Sequence, residues 1–230
     1  MSLMANWQGG KALTLHSKGK YREALPLYEA AYAKGMDKPR LLRGYSVLLI
    51  RVGQFDKALE VLKKMEKQPG LTREQRVDLH VNYAIILWKK GHLDRAMEIL
   101  EDEFRHTQNG AMYSIIGYLK IEQGDVQEAI RFNQAALEYD DSDPVFLDNL
   151  AQSYYRLLGD KETARTYFDR AIAAKPNAID TNYFLALYAI DAGDTEKAIQ
   201  HLKTARKGFF SPLNYATPEM IDEKLAQLKA

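Results

Sequence analysis

The chain has 230 residues, 46% apolar and 27% charged, with 32 Lys and Arg against 31 Asp and Glu and no cysteine. This balance argues against disorder and excludes disulfides and thiolate metal sites. A formal net charge of +1 gives no global pull toward nucleic acid or an anionic membrane, and no apolar run approaches the ~20 residues that span a bilayer.

In chain order, one signature recurs: a glycine followed five residues later by an alanine. It occurs at Gly19/Ala24, Gly53/Ala58, Gly91/Ala96, Gly124/Ala129, Gly159/Ala164 and Gly193/Ala198, with successive glycines 34, 38, 33, 35 and 34 residues apart. Such a period marks a repeat architecture. Two residues past the glycine stand Tyr21, Phe55, Leu93 and Val126, with Lys161 and Thr195 departing. Nine past it stand Tyr28, Leu62, Leu100, Phe168 and Leu202, with Asn133 the exception. Twelve past it stand Ala31, Ala136, Ala171 and Ala205, with Met65 and Glu103 departing. Seven before it stand Ala12, Ser46, Ala84, Gly117 and Ala186; in the fifth repeat the small residue is Ala151, one place early, so an extra residue is expected in the turn there.

Apolar residues at helical spacing on both sides of each glycine describe two amphipathic helices per unit. The glycine permits the left-handed geometry that ends the first helix, and Asp125, Asp160 and Asp194 suit the cap of the second. Small residues stand where two helix backbones cross most closely. Thr72 with Gln75 reads as a capping box, and the four extra residues of the third repeat fall in Gln68–Leu71. Asp143-Pro144 and Thr217-Pro218 each read as a cap followed by the first helical residue. The last predicted helix spans about 218–229, with Ile221, Leu225 and Leu228 toward the array and Glu219, Asp222, Glu223, Lys224 and Lys229 outward.

These columns resemble the tetratricopeptide repeat, a unit of 34 residues folded as helix–turn–helix. The resemblance implies an all-α, right-handed superhelical solenoid. Its six units would be about 5–37, 38–71, 72–108, 109–142, 143–177 and 178–207, after a start or expression scar at 1–4 and before a connection and closing helix at 208–230. Each unit alone exposes an apolar face that stacking covers.

No constellation for catalysis is present: there is no glycine-rich phosphate loop, no nucleophile elbow and no paired histidines at metal spacing. His16, His80, His92, His106 and His201 are scattered over the repeats. The acidic run Glu138–Asp143 lacks the alternating ligands, central glycine and closing glutamate of a calcium loop. The chain is expected to be non-catalytic, with no cofactor and no metal.

What the resemblance implies for a partner is a concave face lined by the first helix of each unit, at positions about 13, 10, 6, 3 and 2 residues before each glycine. The residues so placed are Arg40, Arg43, Val47, Ile50 and Arg51, then Asp78, Val81, Ile85, Trp88 and Lys89, then Ser114, Tyr118 and Ile121. With the one-residue shift, Asp148, Gln152 and Tyr155 follow, and last come Tyr183, Leu187 and Ile190. Trp88, Tyr118, Tyr155 and Tyr183 would form an apolar track for an extended peptide or helix, with Arg40 and Arg43 receiving acidic groups; aromatics that only fill gaps between helices are the alternative. Aromatic and arginine side chains dominate binding energy where they are desolvated. The carboxylate clamp of chaperone-binding members is not matched: Arg43 and Asn82 fit, but Val47, Ala111 and Ile115 do not.

Lys207–Tyr215 is rich in aromatics for a connection. It is expected to pack over the last helix pair, the alternative being a ligand mimic docked into the groove of a second copy. The expected partner is a protein or peptide, with no nucleic acid and no membrane insertion. Self-association is a competing reading, because residues 1–115 carry 19 basic against 13 acidic groups and residues 116–230 carry 13 against 18. RNA binding is more distant, for want of a basic stripe. Without the charged-then-apolar pattern of a secretory signal the expected location is cytoplasmic, with a removed signal peptide left open.

Overall fold

The computed structural model describes residues 2–228. Met1, from the start or scar expected at 1–4, and Lys229, expected on the outer face of the last helix, lie outside the described residues. Among the described residues the chain is all-helical, and it divides into two compact units, Met1–Arg105 and His106–Ala230.

The first unit holds α1 (Ser2–Ser17), α2 (Tyr21–Ala33), α3 (Pro39–Arg51), α4 (Phe55–Glu66), α5 (Arg73–Lys89) and α6, which starts at Leu93 and ends at His106 on the boundary. In it α1 packs on α2, α3 on α4, and α3 also against α1 and α5. The second unit holds α7 (Gly110–Gln123), α8 (Val126–Tyr139), α9 (Pro144–Gln152), a π-helical turn (Ser153–Leu158), α10 (Lys161–Ala174), α11 (Ile179–Asp191), α12 (Thr195–Arg206) and α13 (Pro218–Gln227). Here α7 packs on α8, α9 on α10, α11 on α12, and α13 closes against α12.

The residue columns are the core. Ala24, Ala58, Ala96, Ala129, Ala164 and Ala198 are fully buried, as are Tyr28, Leu62, Leu100, Phe168 and Leu202. Each fully buried large side chain of this kind stabilises by about 1.5–3 kcal/mol. The expected caps are formed: Asp125, Asp160 and Asp194 accept from the backbone N–H three residues on, each at 3.0 Å. Thr72 and Gln75 make both bonds of the capping box, at 3.2 and 3.1 Å. Asp143 caps α9 through the Val145 N–H (2.7 Å), so the acidic run before it is a turn with a cap.

The extra residue of the fifth repeat lies inside the last turn of the helix rather than after it. In the first, second, third and sixth repeats the residue after the glycine donates its N–H to a carbonyl five residues back, as in Gln54 to Leu49 and Asp194 to Ala189. In the fifth, Asp160 reaches six back, to Tyr154. The inserted residue is absorbed by widening the helix to the π form, and Gly159, at φ +74°, still supplies the left-handed stop. This is why Ala151 stands one place early.

Asn133, the polar exception among the apolar residues nine past the glycine, is also buried. Its Nδ2 lies within hydrogen-bond distance of Gly117 O (3.1 Å), Ala129 O (3.0 Å) and Ser153 Oγ (3.2 Å), so it ties α8 to α7 and to the π turn. A Cβ on Gly117 would stand 2.1 Å from Asn133 Oδ1 and 3.1 Å from Asn149 Nδ2. Gly117→Ala should therefore destabilise the chain by about 1–3 kcal/mol, outweighing the ~1 kcal/mol that alanine gains over glycine in a helix. A lowered midpoint of urea unfolding is expected; a raised one would show that Asn133 moves aside freely.

Candidate functional site

In the first unit, α1 and α3 border a cleft of about 510 Å3, lined among others by Asn6, Thr14, Lys38, Arg40, Leu41 and Arg43. Asn6 is held by Asp37, donating to its Oδ1 (2.7 Å) and accepting from its N–H (3.1 Å). Lys38 and Arg40 are exposed on the rim. Arg43 is committed on one side: its Nε lies 2.7 Å from Asp78 Oδ2, joining α3 to α5. Burial raises the Asp78 carboxyl and Arg43 pulls it back only in part, so it stays above the usual carboxylate range.

Val47 and Trp88 are half-buried, and Lys89 Nζ lies 3.7 Å from the centre of the Trp88 ring. Ile85 is buried. Asn82 Nδ2 donates to the Asp78 carbonyl (2.8 Å), one turn back on its own helix.

In the second unit the expected inner positions carry a connected polar network. Arg156 Nη2 lies 2.7 Å from Glu122 Oε1, joining the π turn to α7, and its Nη1 donates to Gln152 Oε1 (3.1 Å). Gln152 Nε2 in turn donates to Asp148 Oδ2 (2.7 Å), and Thr181 Oγ1 on α11 donates to Asp148 Oδ1 (2.6 Å). Asp180 accepts three donors from the connection after α12: Asn214 Nδ2 (3.2 Å), Tyr215 N (3.1 Å) and Ala216 N (2.9 Å). Tyr215 packs on Phe184 and Tyr183, with the Arg156 guanidinium 4.2 Å from its ring centre.

Of the residues expected on the concave face, Tyr118, Gln152 and Tyr183 are buried within the chain itself. Tyr155 fills the space between helices, edge-on to Phe168, Phe184 and Tyr188, and Leu187 packs against the same core. The connection does pack over the last helix pair, and it does so within its own chain.

Tetratricopeptide-repeat family models match residues 15–70, 50–140 and 116–179. The chain belongs to the tetratricopeptide-repeat family. No curated protein matches it. Among solved structures it is similar to a tetratricopeptide repeat protein from Parabacteroides merdae ATCC 43184, with 14% identity, a TM-score of 0.73, and 97% of this chain and 83% of that one covered. PilW, described as a widely conserved type IV pilus biogenesis factor, is 16% identical with a TM-score of 0.67 and full coverage of both chains. The Cut9–Hcn1 structure of the APC/C is 16% identical with a TM-score of 0.68, covering 97% of this chain and 42% of that one. At these identities the likeness is one of fold.

Sequence reasoning passed over Glu122, Arg156 and Asp180, while Tyr215 belongs to the connection expected over the last helix pair. Asp180 and Glu122 fall 13 and 2 residues before a glycine, and Arg156, 3 before Gly159, fits the last position once the one-residue shift is applied, so the same spacing reaches all three. Arg156 sits in the π turn, where consecutive residues diverge: Tyr154 stacks on Tyr167 while Arg156 turns to Glu122.

Asp148 is pushed up to about 7, first by burial and then by the Asp180 carboxylate, against the opposing hydrogen bonds of Thr181 and Gln152 and the charge of Lys175. Asp180 is raised too, by burial, against the hydrogen bonds of Ala216, Asn214 and Tyr215 and the charge of Arg156. An unfolded aspartate titrates near ~3.9, so between that value and about 7 folded Asp148 holds a proton that the unfolded chain has lost. Its stabilising contribution is whole below the lower value, falls as pH rises through the window, and is gone above the upper one. Urea midpoints at pH 5 and pH 7.5 check this: Asp148→Asn should lose less stability between them than wild type. An equal loss in both chains would place the proton elsewhere.

Proposed function

We propose that this chain is a non-catalytic adaptor that holds an acidic peptide or helix of a partner protein on the inner face of its first unit. Tetratricopeptide repeats serve as protein-interaction and scaffold modules, which is the general role the family supports. The basic rim of the α1/α3 cleft carries the finer reading: Lys38 and Arg40 are exposed there, Arg43 stands beside them, and Leu13 and Leu41 add an apolar lining. Guanidinium and ammonium groups over apolar lining suit a carboxylate-bearing segment with a hydrophobic anchor. Near-zero net charge leaves nucleic acid a poor candidate.

A second reading rests on the charge asymmetry of the two halves, which would let copies associate through opposite charge. Salt screens such pairing within a Debye length of about 10 Å at 0.1 M, so the oligomeric state should then fall apart as salt rises.

Selection from a random peptide library on the immobilised chain tests the first reading. Acidic peptides should be enriched, and Lys38→Glu/Arg40→Glu should weaken them at least tenfold while keeping the helical circular dichroism. Enrichment without acidic bias, or binding indifferent to the double variant, would remove the cleft as the site. Salt-sensitive self-association with no enrichment would favour the second reading.

A further inference from the structure

After α12 the chain closes a tight turn, Ser211 N donating to Asn214 Oδ1 (2.8 Å) and Asn214 N to Ser211 O (3.1 Å). It then presents three donors to one carboxylate, as described for Asn214, Tyr215 and Ala216 on Asp180. Tyr215 enters between Phe184, stacked at 5.2 Å and 22°, and the Arg156 guanidinium. Ala216 is buried, whereas residues 211–215 are only half-buried.

These contacts are unlike the helix-on-helix packing of the repeats. Two successive backbone N–H groups turned to one side by a bend, with a short amide and an aromatic ring, are what a turn-forming peptide offers to a carboxylate, and here they meet residues of α11 and the π turn at or next to the inner positions. Asp180 is 8% exposed, and a buried carboxylate stripped of its donors is costly. The seat therefore favours a ligand of this chemistry at all times, whichever chain carries it.

We propose that the inner face formed by α11 and the π turn is a peptide seat for a turned Asn–aromatic–small segment, filled in one chain by its own Ser211–Ala216 and exchangeable for the same segment of a second copy. The second copy is the occupant that the chemistry matches, because every chain carries one seat and one fitting segment. Reciprocal exchange closes a two-fold dimer without new contacts. Opening takes the closing helix with it: Ala216 and Ile221 are buried in the same apolar core, so the segment and α13 leave together while α9 to α12 stay packed on one another. The seat shares no residue with the basic cleft of the first unit, so either reading can fail alone.

Native-state hydrogen exchange on the wild-type chain is the first test. The Tyr215 and Ala216 amides should exchange at least tenfold faster than the slowest amides of α11, through a local opening. Exchange only with global unfolding would overturn the proposal. The second test mixes two full-length variants: Asp180→Asn, with an intact segment and a damaged seat, and Tyr215→Ala, with an intact seat and a damaged segment. At high concentration the mixture should give a one-to-one complex in analytical ultracentrifugation that neither variant gives alone, and its absence would count against exchange. Should either variant lose its helical circular dichroism, an excess of a synthetic peptide of residues 208–217 replaces the mixture. It should speed exchange at the Tyr215 and Ala216 amides of the wild-type chain at least tenfold; no change would overturn the proposal.

Discussion

Helix backbones in this chain cross closely because a residue with little or no side chain stands at each crossing, and every other feature is built around that spacing. Ala24, Ala58, Ala96, Ala129, Ala164 and Ala198 have no exposed surface. A larger side chain at any of them would separate two helices and open the core on both sides, since interiors are packed too densely to absorb the volume. A pair so joined still has an apolar flank, and the next pair covers it. The repeat is thus both the local rule and the means by which each unit covers its own apolar surface.

One inserted residue shows what that rule tolerates. The fifth repeat keeps its glycine, its Asp160 cap and its buried Ala164, and takes up the insertion by widening a single turn. The cost is regularity in the backbone ladder, and the return is a place where neighbouring side chains part. Tyr154 goes to Tyr167, Tyr155 into the core, and Arg156 to Glu122, Gln152 and Tyr215. A π turn at a site where polar groups gather is a recurrent pairing in proteins.

The architecture was legible from residue types alone because packing and capping are local constraints. A glycine stop, an aspartate cap and a small residue at a crossing each leave a mark at a fixed offset, and the structure has the expected bonds at Thr72, Asp143 and Thr217. The inner face was only half legible. Spacing placed Gln152 and Tyr183 on it, but not the fact that both are buried. What packs over Tyr183 is Tyr215, after the last repeat, where no periodicity indicates where the segment will settle. The packing of Tyr155 between helices has a different cause: a one-residue shift locates an insertion but cannot say whether loop or helix absorbs it, and the two choices rotate the following side chains differently.

Buried charge distinguishes the two units. In the first, Arg43 and Asp78 form a half-exposed pair that water can still reach, and such a pair holds little stability while leaving positive charge on the rim. In the second, Asp148 and Asp180 are both nearly inaccessible, and the Asp180 charge adds to burial in raising Asp148. Two carboxylates with one arginine in reach are not a device for stability, since apolar residues of similar volume would serve better there. Their arrangement does specify donors: Thr181 and Gln152 for one, and the backbone of a segment from outside the repeats for the other. A helical array that keeps a buried acceptor on its inner face, with only a mobile-length connection to satisfy it, has the physical requirements of a peptide site whether or not the peptide comes from the same chain.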